Sequence, residues 1–179
     1  MNAKQLAKSI ALASLLAAGT GAFAANDGSL GETSSEGDLT VTLNIEDRIQ
    51  VTGLDDITVG PFTGSGNLAG ETDFCVYRNG TGLYDLTATS ANEDSGAFRA
   101  INGSDLIPYE VRFDTDGDAS DGTSLASSSA ETGITGHASS LNCGNANNAS
   151  LNVRFLEADL LGALTGSYVD ALTVTVEPQ

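Results

Sequence analysis

The side chains able to do chemistry are few and far apart. The one histidine, His137, lies in a Ser/Gly-rich stretch with no cysteine close by and no spacing that ties it to a serine nucleophile. A loop histidine exposed to solvent is the simpler reading, although triads do assemble from distant residues. Asp114, Asp116, Asp118 and Asp121 set carboxylates at alternate positions, a spacing that suits the oxygen ligands of Ca²⁺. As an EF-hand the loop fails, because Ala119 stands where glycine is needed and Leu125 where the bidentate Glu is needed. An exposed acidic turn is therefore expected there, with the four aspartates as a weak metal candidate. The adjacent pair Asp55-Asp56 carries little information in so acidic a chain. Gly64, Gly66 and Gly70 have no strand-to-helix context and read as a turn rather than a phosphate loop. No enzyme and no cofactor is expected from these residues.

Cys75 and Cys143 are the only cysteines, and the compartment decides their chemistry. Lys4 and Lys8, the apolar run Ile10 to Ala18, and Ala22-Phe23-Ala24 before Ala25 have the form of a secretory signal peptide over residues 1–24. In an exported chain two cysteines form a disulfide by default. Two cysteines and one distant histidine make a poor zinc set. No later stretch approaches the roughly 18 apolar residues of a membrane helix, so no membrane insertion of the mature chain is expected.

Removing the leader removes both lysines and leaves five arginines against the 24 acids, a formal charge of 5 − 24 = −19. A chain of that sign does not seek nucleic acid or an anionic membrane surface. Some 155 residues remain, enough for one domain with its own core.

The elements that must position these groups read as strands. Gly37-Asp-Leu39-Thr-Val41-Thr-Leu43-Asn-Ile45 alternates strictly, so Leu39, Val41, Leu43 and Ile45 share one face. It follows a flexible acidic tail, residues 25–36, and has no hairpin partner upstream. Ile49–Val51 and Ile57–Val59 read as short strands. Phe74–Tyr77 and Leu83–Thr89 flank Asn79-Gly80, a hairpin signal; Phe98–Ile101 and Ile107–Phe113 flank Asn102-Gly103 in the same way. Pro108 places the start of that last strand at an edge or a strand end. Leu125 to Ser140 shows little periodicity. Ala149–Phe155 is a strand, Leu156–Leu164 the one plausible helix, and Tyr168–Val176 a closing strand with Leu172, Val174 and Val176 facing a core. Three Asn-x-Ser/Thr sequons, at Asn79, Asn102 and Asn148, mark surface turns. Many short strands, Gly/Asn/Asp turns and no βα alternation argue for an antiparallel β-sandwich over residues 46–179.

With those strands placed, the chain resembles the spore coat protein U-like family, which includes the subunits of archaic, Csu-like chaperone–usher pili. The most specific part is Gly166-Ser-Tyr168-Val-Asp170-Ala-Leu172-Thr-Val174-Thr-Val176, which is similar to that family's closing strand. Residues 37–45 resemble its N-terminal strand, and Phe74–Tyr77 and Ile107–Tyr109 two interior strands. Arg48-Ile49-Gln50-Val51 stands where family members often carry a cysteine, so the cysteine pairing rests on the count of two and not on the resemblance. The resemblance implies an immunoglobulin-like sandwich lacking one strand, with one short helix. It implies a donor strand (Leu39, Val41, Leu43, Ile45) and an acceptor groove along the closing strand (Tyr168, Leu172, Val174, Val176). The expected partners are like subunits in a homopolymer, a periplasmic chaperone and an outer-membrane usher. The expected place is the periplasm and then the cell surface, in adhesion or biofilm formation. A secreted monomeric coat protein with its N-terminal strand folded back in cis, and a calcium-dependent adhesive module, are the alternatives.

The leader gives the first prediction. Intact mass of the exported protein should place its first residue within one or two positions of Ala25; a retained Met1 refutes it.

Overall fold

A computed structural model describes residues 25–80, 82–115 and 122–179. The segment expected to be a signal peptide, residues 1–24, and Asp116, Asp118 and Asp121 lie outside the described residues. The chain divides into two compact units, one ending at Ile45 and the other Glu46–Gln179. In the first unit, Asn26 and Asp38 exchange backbone hydrogen bonds of 2.9 Å, and residues 39–45 join no ladder among the described residues.

The second unit is nearly all antiparallel β. Its strands are β1 (Ile49–Thr52), β2 (Leu68–Arg78), β3 (Leu83–Ser90), β4 (Phe98–Asn102), β5 (Asp105–Asp114), β6 (Thr123–Ser124), β7 (Ala130–Thr135), β8 (Ala149–Phe155) and β9 (Leu172–Pro178), with one helical turn, α1 (Glu157–Leu160), between the last two. One sheet runs β1-β2-β8-β5-β4, with β6 on β5; the other runs β7-β3-β9. Period-two patterning makes the core. On β3, Tyr84, Leu86, Ala88 and Ser90 are buried between more exposed neighbours. Tyr84, Leu86 and Ala88 meet Phe74 and Val76 from β2, Val111 and Phe113 from β5, and Leu151 and Val153 from β8 in a single cluster. Each such Leu, Val or Phe contributes about 1.5–3 kcal/mol when buried.

The expectation of an immunoglobulin-like antiparallel sandwich with one short helix is met. Several local expectations are corrected. Asn79-Gly80 does not close a hairpin: β2 pairs with β1 and β8, whereas β3 pairs with β7 and β9. The turn carries the chain from one sheet to the other. Asn102-Gly103 does close a hairpin, β4–β5, with Gly103 at φ 64°. Pro108 sits opposite Arg99 on β4, ahead of Glu110, where β8 starts to pair. Ile57 and Val59 form no ladder among the described residues and pack sideways onto the core. They do so over Gly70, where a Cβ would lie 2.7 Å from Ile57 Cγ2.

The aperiodic Leu125–Ser140 stretch contains β7. A bulge hides its alternation: Tyr84 faces Ile134 and Leu86 faces Glu131, so β7 has one residue more than β3 between these pairs. Gly133, at φ 74°, takes up the extra residue. The helix is shorter than Leu156–Leu164. Leu156 offers no side-chain cap, and Asn67 substitutes by accepting from the Glu157 N–H at 2.9 Å.

Cys75 on β2 and Cys143 in a single 3₁₀ turn (Cys143–Asn145) are joined by a disulfide with Cα atoms 5.8 Å apart. Both are buried. The bridge ties the long connection between β7 and β8 to the first sheet. The double variant Cys75→Ala/Cys143→Ala should lose roughly 2–5 kcal/mol in urea unfolding. An unchanged midpoint would show that packing alone holds this connection.

Candidate functional site

The candidate site is the outer edge of β9. Its inner edge is fully paired, from Tyr84 opposite Pro178 to Ser90 opposite Leu172. Its outer edge carries no ladder among the described residues. In a complete immunoglobulin-type sandwich one sheet has the order ABED and the other CFG. Here β1, β2, β8 and β5 occupy the ABED positions, and β3 and β9 those of C and F. The described residues supply no strand at G, the position beyond β9.

The side chains register the same gap. Leu172, Val174 and Val176 point inward, as expected, and pack against the core, yet all three are only half-buried. Tyr84, Leu86 and Ala88, on the neighbouring strand of the same sheet, are 0 % exposed. Ile49 and Val51 on β1, with Phe155 at the end of β8, are half-buried hydrophobics of the same kind. A strip of incompletely covered aliphatic surface beside unpaired backbone donors and acceptors has the chemistry of a strand-binding edge.

The approach to β9 is held by two phenol–carboxylate pairs. Asp170 accepts from Tyr109 Oη at 2.6 Å and from Asn92 Nδ2 at 2.8 Å. The Tyr168 hydroxyl donates to Asp105, and Leu164 N–H donates to the same carboxylate at 3.1 Å. Ile101 and Val169 exchange backbone hydrogen bonds at 2.8 and 3.1 Å. Tyr168 thus stands ahead of β9, which begins at Leu172. Burial, and then the Asp170 carboxylate, push the Tyr109 phenol well above its ordinary range. Burial alone does so for Tyr84. The bond from Tyr168 and the Leu164 N–H hold the Asp105 carboxyl below the usual carboxylate range.

The other expected site residues are placed as follows. Leu39, Val41, Leu43 and Ile45 belong to the first unit, and their side chains are 73–84 % exposed. Asp114 ends β5. His137 is half-buried rather than solvent-exposed. Its N–H donates to Val76 O at 2.8 Å, and its Nδ1 accepts from Ser140 N at 3.1 Å. Ser90, Ser127 and Ser128 gather near Glu93, whose Oε2 accepts from Ser127 at 2.6 Å and Ser128 at 2.7 Å.

Two polar clamps escaped the sequence reading. Arg78, 2 % exposed, donates to the carbonyls of Asn79, Leu83 and Gln179 and pairs with Asp47 at 3.1 Å. Its sequence signal is a cation on the inward phase of Phe74 and Val76. Asn148 brackets Val76, accepting from its N–H at 2.9 Å and donating to its C=O at 3.1 Å. It acts as a substitute strand partner rather than a surface-turn marker, and nothing in its own neighbourhood announces that.

No family model matches this chain, and no curated protein matches it. Among solved structures it is similar to a chain of a chaperone–tip adhesin complex described as vital for synergistic activation of CFA/I fimbriae biogenesis. The TM-score is 0.47 and the identity 14 %, over 73 % of this chain and 42 % of that one. This chain thus spans less than half the length of that one.

The raised phenols give a signed pH dependence. A group whose folded pKa lies above its unfolded value stabilises fully below the unfolded value, about 10 for tyrosine, and loses that contribution as pH rises. Urea midpoints should hold below about pH 10 and fall above it. Tyr109→Phe should cost about 1.5–3 kcal/mol at pH 7, as a lost bond to a charged acceptor, and should flatten the alkaline fall. A slope identical to wild type would remove Tyr109 from this role.

Proposed function

We propose that this protein is a structural subunit of a bacterial surface pilus, assembled by donor-strand exchange through a periplasmic chaperone and an outer-membrane usher, and serving attachment. Its role is non-catalytic. The observation that carries this reading is the open edge of β9, with Leu172, Val174 and Val176 half-buried beside it. The exposed alternation Leu39, Val41, Leu43, Ile45 supplies the complementary shape and chemistry.

The energetics are consistent with a partner that repairs a core. Burying four aliphatic side chains contributes on the order of 6–12 kcal/mol. Ordering nine residues costs roughly 9–18 kcal/mol of backbone entropy. Hydrogen bonds along the β9 edge and cover over its half-buried side chains must supply the rest. The donor strand therefore binds well only where a core is incomplete. Register is strict, because a one-residue slip turns Thr40, Thr42 and Asn44 inward.

In cells that also make the chaperone and usher, Leu43→Asp should abolish polymers while the subunit is still exported, since it sets an unpaired carboxylate in an apolar groove. Thr42→Asp, on the opposite face, should polymerise much as wild type does. Equal polymerisation of both variants, or a wild type that never polymerises, would favour a monomeric coat protein with the strand docked in cis.

A further inference from the structure

We propose that the end of the sandwich bearing Ile101, Leu106, Leu164 and Val169 is a second interface, a seat for the body of the next copy of this chain. It rests on the donor-strand reading above and adds a body-to-body contact to it.

The argument starts at the join between the two units. Residues 37–45 run directly into Glu46, and only Glu46, Asp47 and Arg48 separate Ile45 from β1. Those three are not a loose linker. Asn79 Nδ2 donates to Glu46 O at 2.7 Å, Asn79 Oδ1 accepts from Arg48 N–H at 2.7 Å, and Asp47 pairs with the buried Arg78. A copy whose residues 37–45 lie along β9 of a neighbour must therefore hold its own sandwich against that neighbour, at whichever end of β9 Ile45 reaches.

Which end follows from strand direction. All the ladders between named strands are antiparallel. A short strand added to β9 in the same sense, the slightly more stable one per residue, brings Leu39 toward Val176 and Ile45 toward Leu172. The incoming body then arrives where β9 begins.

That end has an apolar surface unused within the subunit. Leu106 is the cross-strand partner of Ile101, and Val169 bonds to Ile101 from the other side. Leu164 is fixed beside them through its N–H to Asp105. Leu106, Leu164 and Val169 are 39 %, 65 % and 64 % exposed. The charges match as well: the carboxylates of Asp105 and Asp170 lie at this end, and Arg48 is exposed at the base of the incoming body, in a chain that has almost no other positive charge to offer. Leu106, Leu164 and Val169 lie off β9 itself, so this surface can be altered without touching the donor strand or the inward residues of its groove.

The test uses polymers assembled by cells with chaperone and usher. Leu164→Glu/Val169→Glu should still polymerise, but its polymers should separate into subunits in SDS at a temperature at least 10 °C below wild type, with the unfolding midpoint of the isolated subunit unchanged. A chain carrying Arg48→Cys and Leu164→Cys should give a ladder of disulfide-linked oligomers when polymers are oxidised. Polymers of wild-type heat resistance together with no ladder overturn the seat and leave the donor-strand reading standing. A wild type without polymers overturns both. A drop in the isolated subunit's midpoint equal to the polymer's would show that Leu164 and Val169 serve the fold alone, and also overturns the seat.

Discussion

A sheet edge with hydrogen-bonding partners on one side only sets the terms for the rest of this molecule. β9 is bound to β3 along its whole length, and its other edge is bare among the described residues. Edge strands in natural sandwiches are commonly shortened, charged or bulged to prevent pairing. β9 has none of these along Leu172–Val176, where threonine and aliphatic residues simply alternate. β7, at the opposite edge of the same sheet, is bulged at Gly133 and carries Glu131. One edge of the three-stranded sheet is thus blunted and the other is not.

The surroundings of β9 keep that edge in place despite its missing flank. Tyr109 and Asn92 fix Asp170 two residues before the strand, and Tyr168 reaches back to Asp105 on the β4–β5 hairpin. At the far end, Arg78 donates to the carbonyls of Leu83 and Gln179 while its own charge is balanced by Asp47. Buried cations are expensive unless paired and hydrogen-bonded. Arg78 meets that condition because the β2–β3 connection, Gln179 and Asp47 just ahead of β1 converge on it. The disulfide and Asn148 serve the first sheet in the same manner, holding the connection before β8 against β2.

Charge sets the character of the surface. With 24 acids in the sequence and the arginines at 78, 99 and 154 each committed to an ion pair, negative charge dominates the surface and acts over about 10 Å at 0.1 M salt.

The sequence alone determined what depends on neighbours in the chain. Period-two alternation assigned Leu172, Val174 and Val176 to the core side, and the Asn102-Gly103 hairpin was legible because a two-residue turn is a local event. The cysteine pair followed from a count of two. Tertiary structure decided the remainder, since it turned on which distant segments met. Asn79-Gly80 has the same signature as Asn102-Gly103 yet crosses between sheets, because β2 finds its partners in β1 and β8. β7 became a strand through β3, although its own composition offered little periodicity. Arg78 was buried by partners from three separate parts of the chain, the β2–β3 connection, Gln179 and Asp47. The open edge is of this kind as well: the residues of β9 specify a strand, but only the sheet order reveals that one of its sides has no partner among the described residues, because a strand's partners are chosen by the whole fold and not by its own sequence.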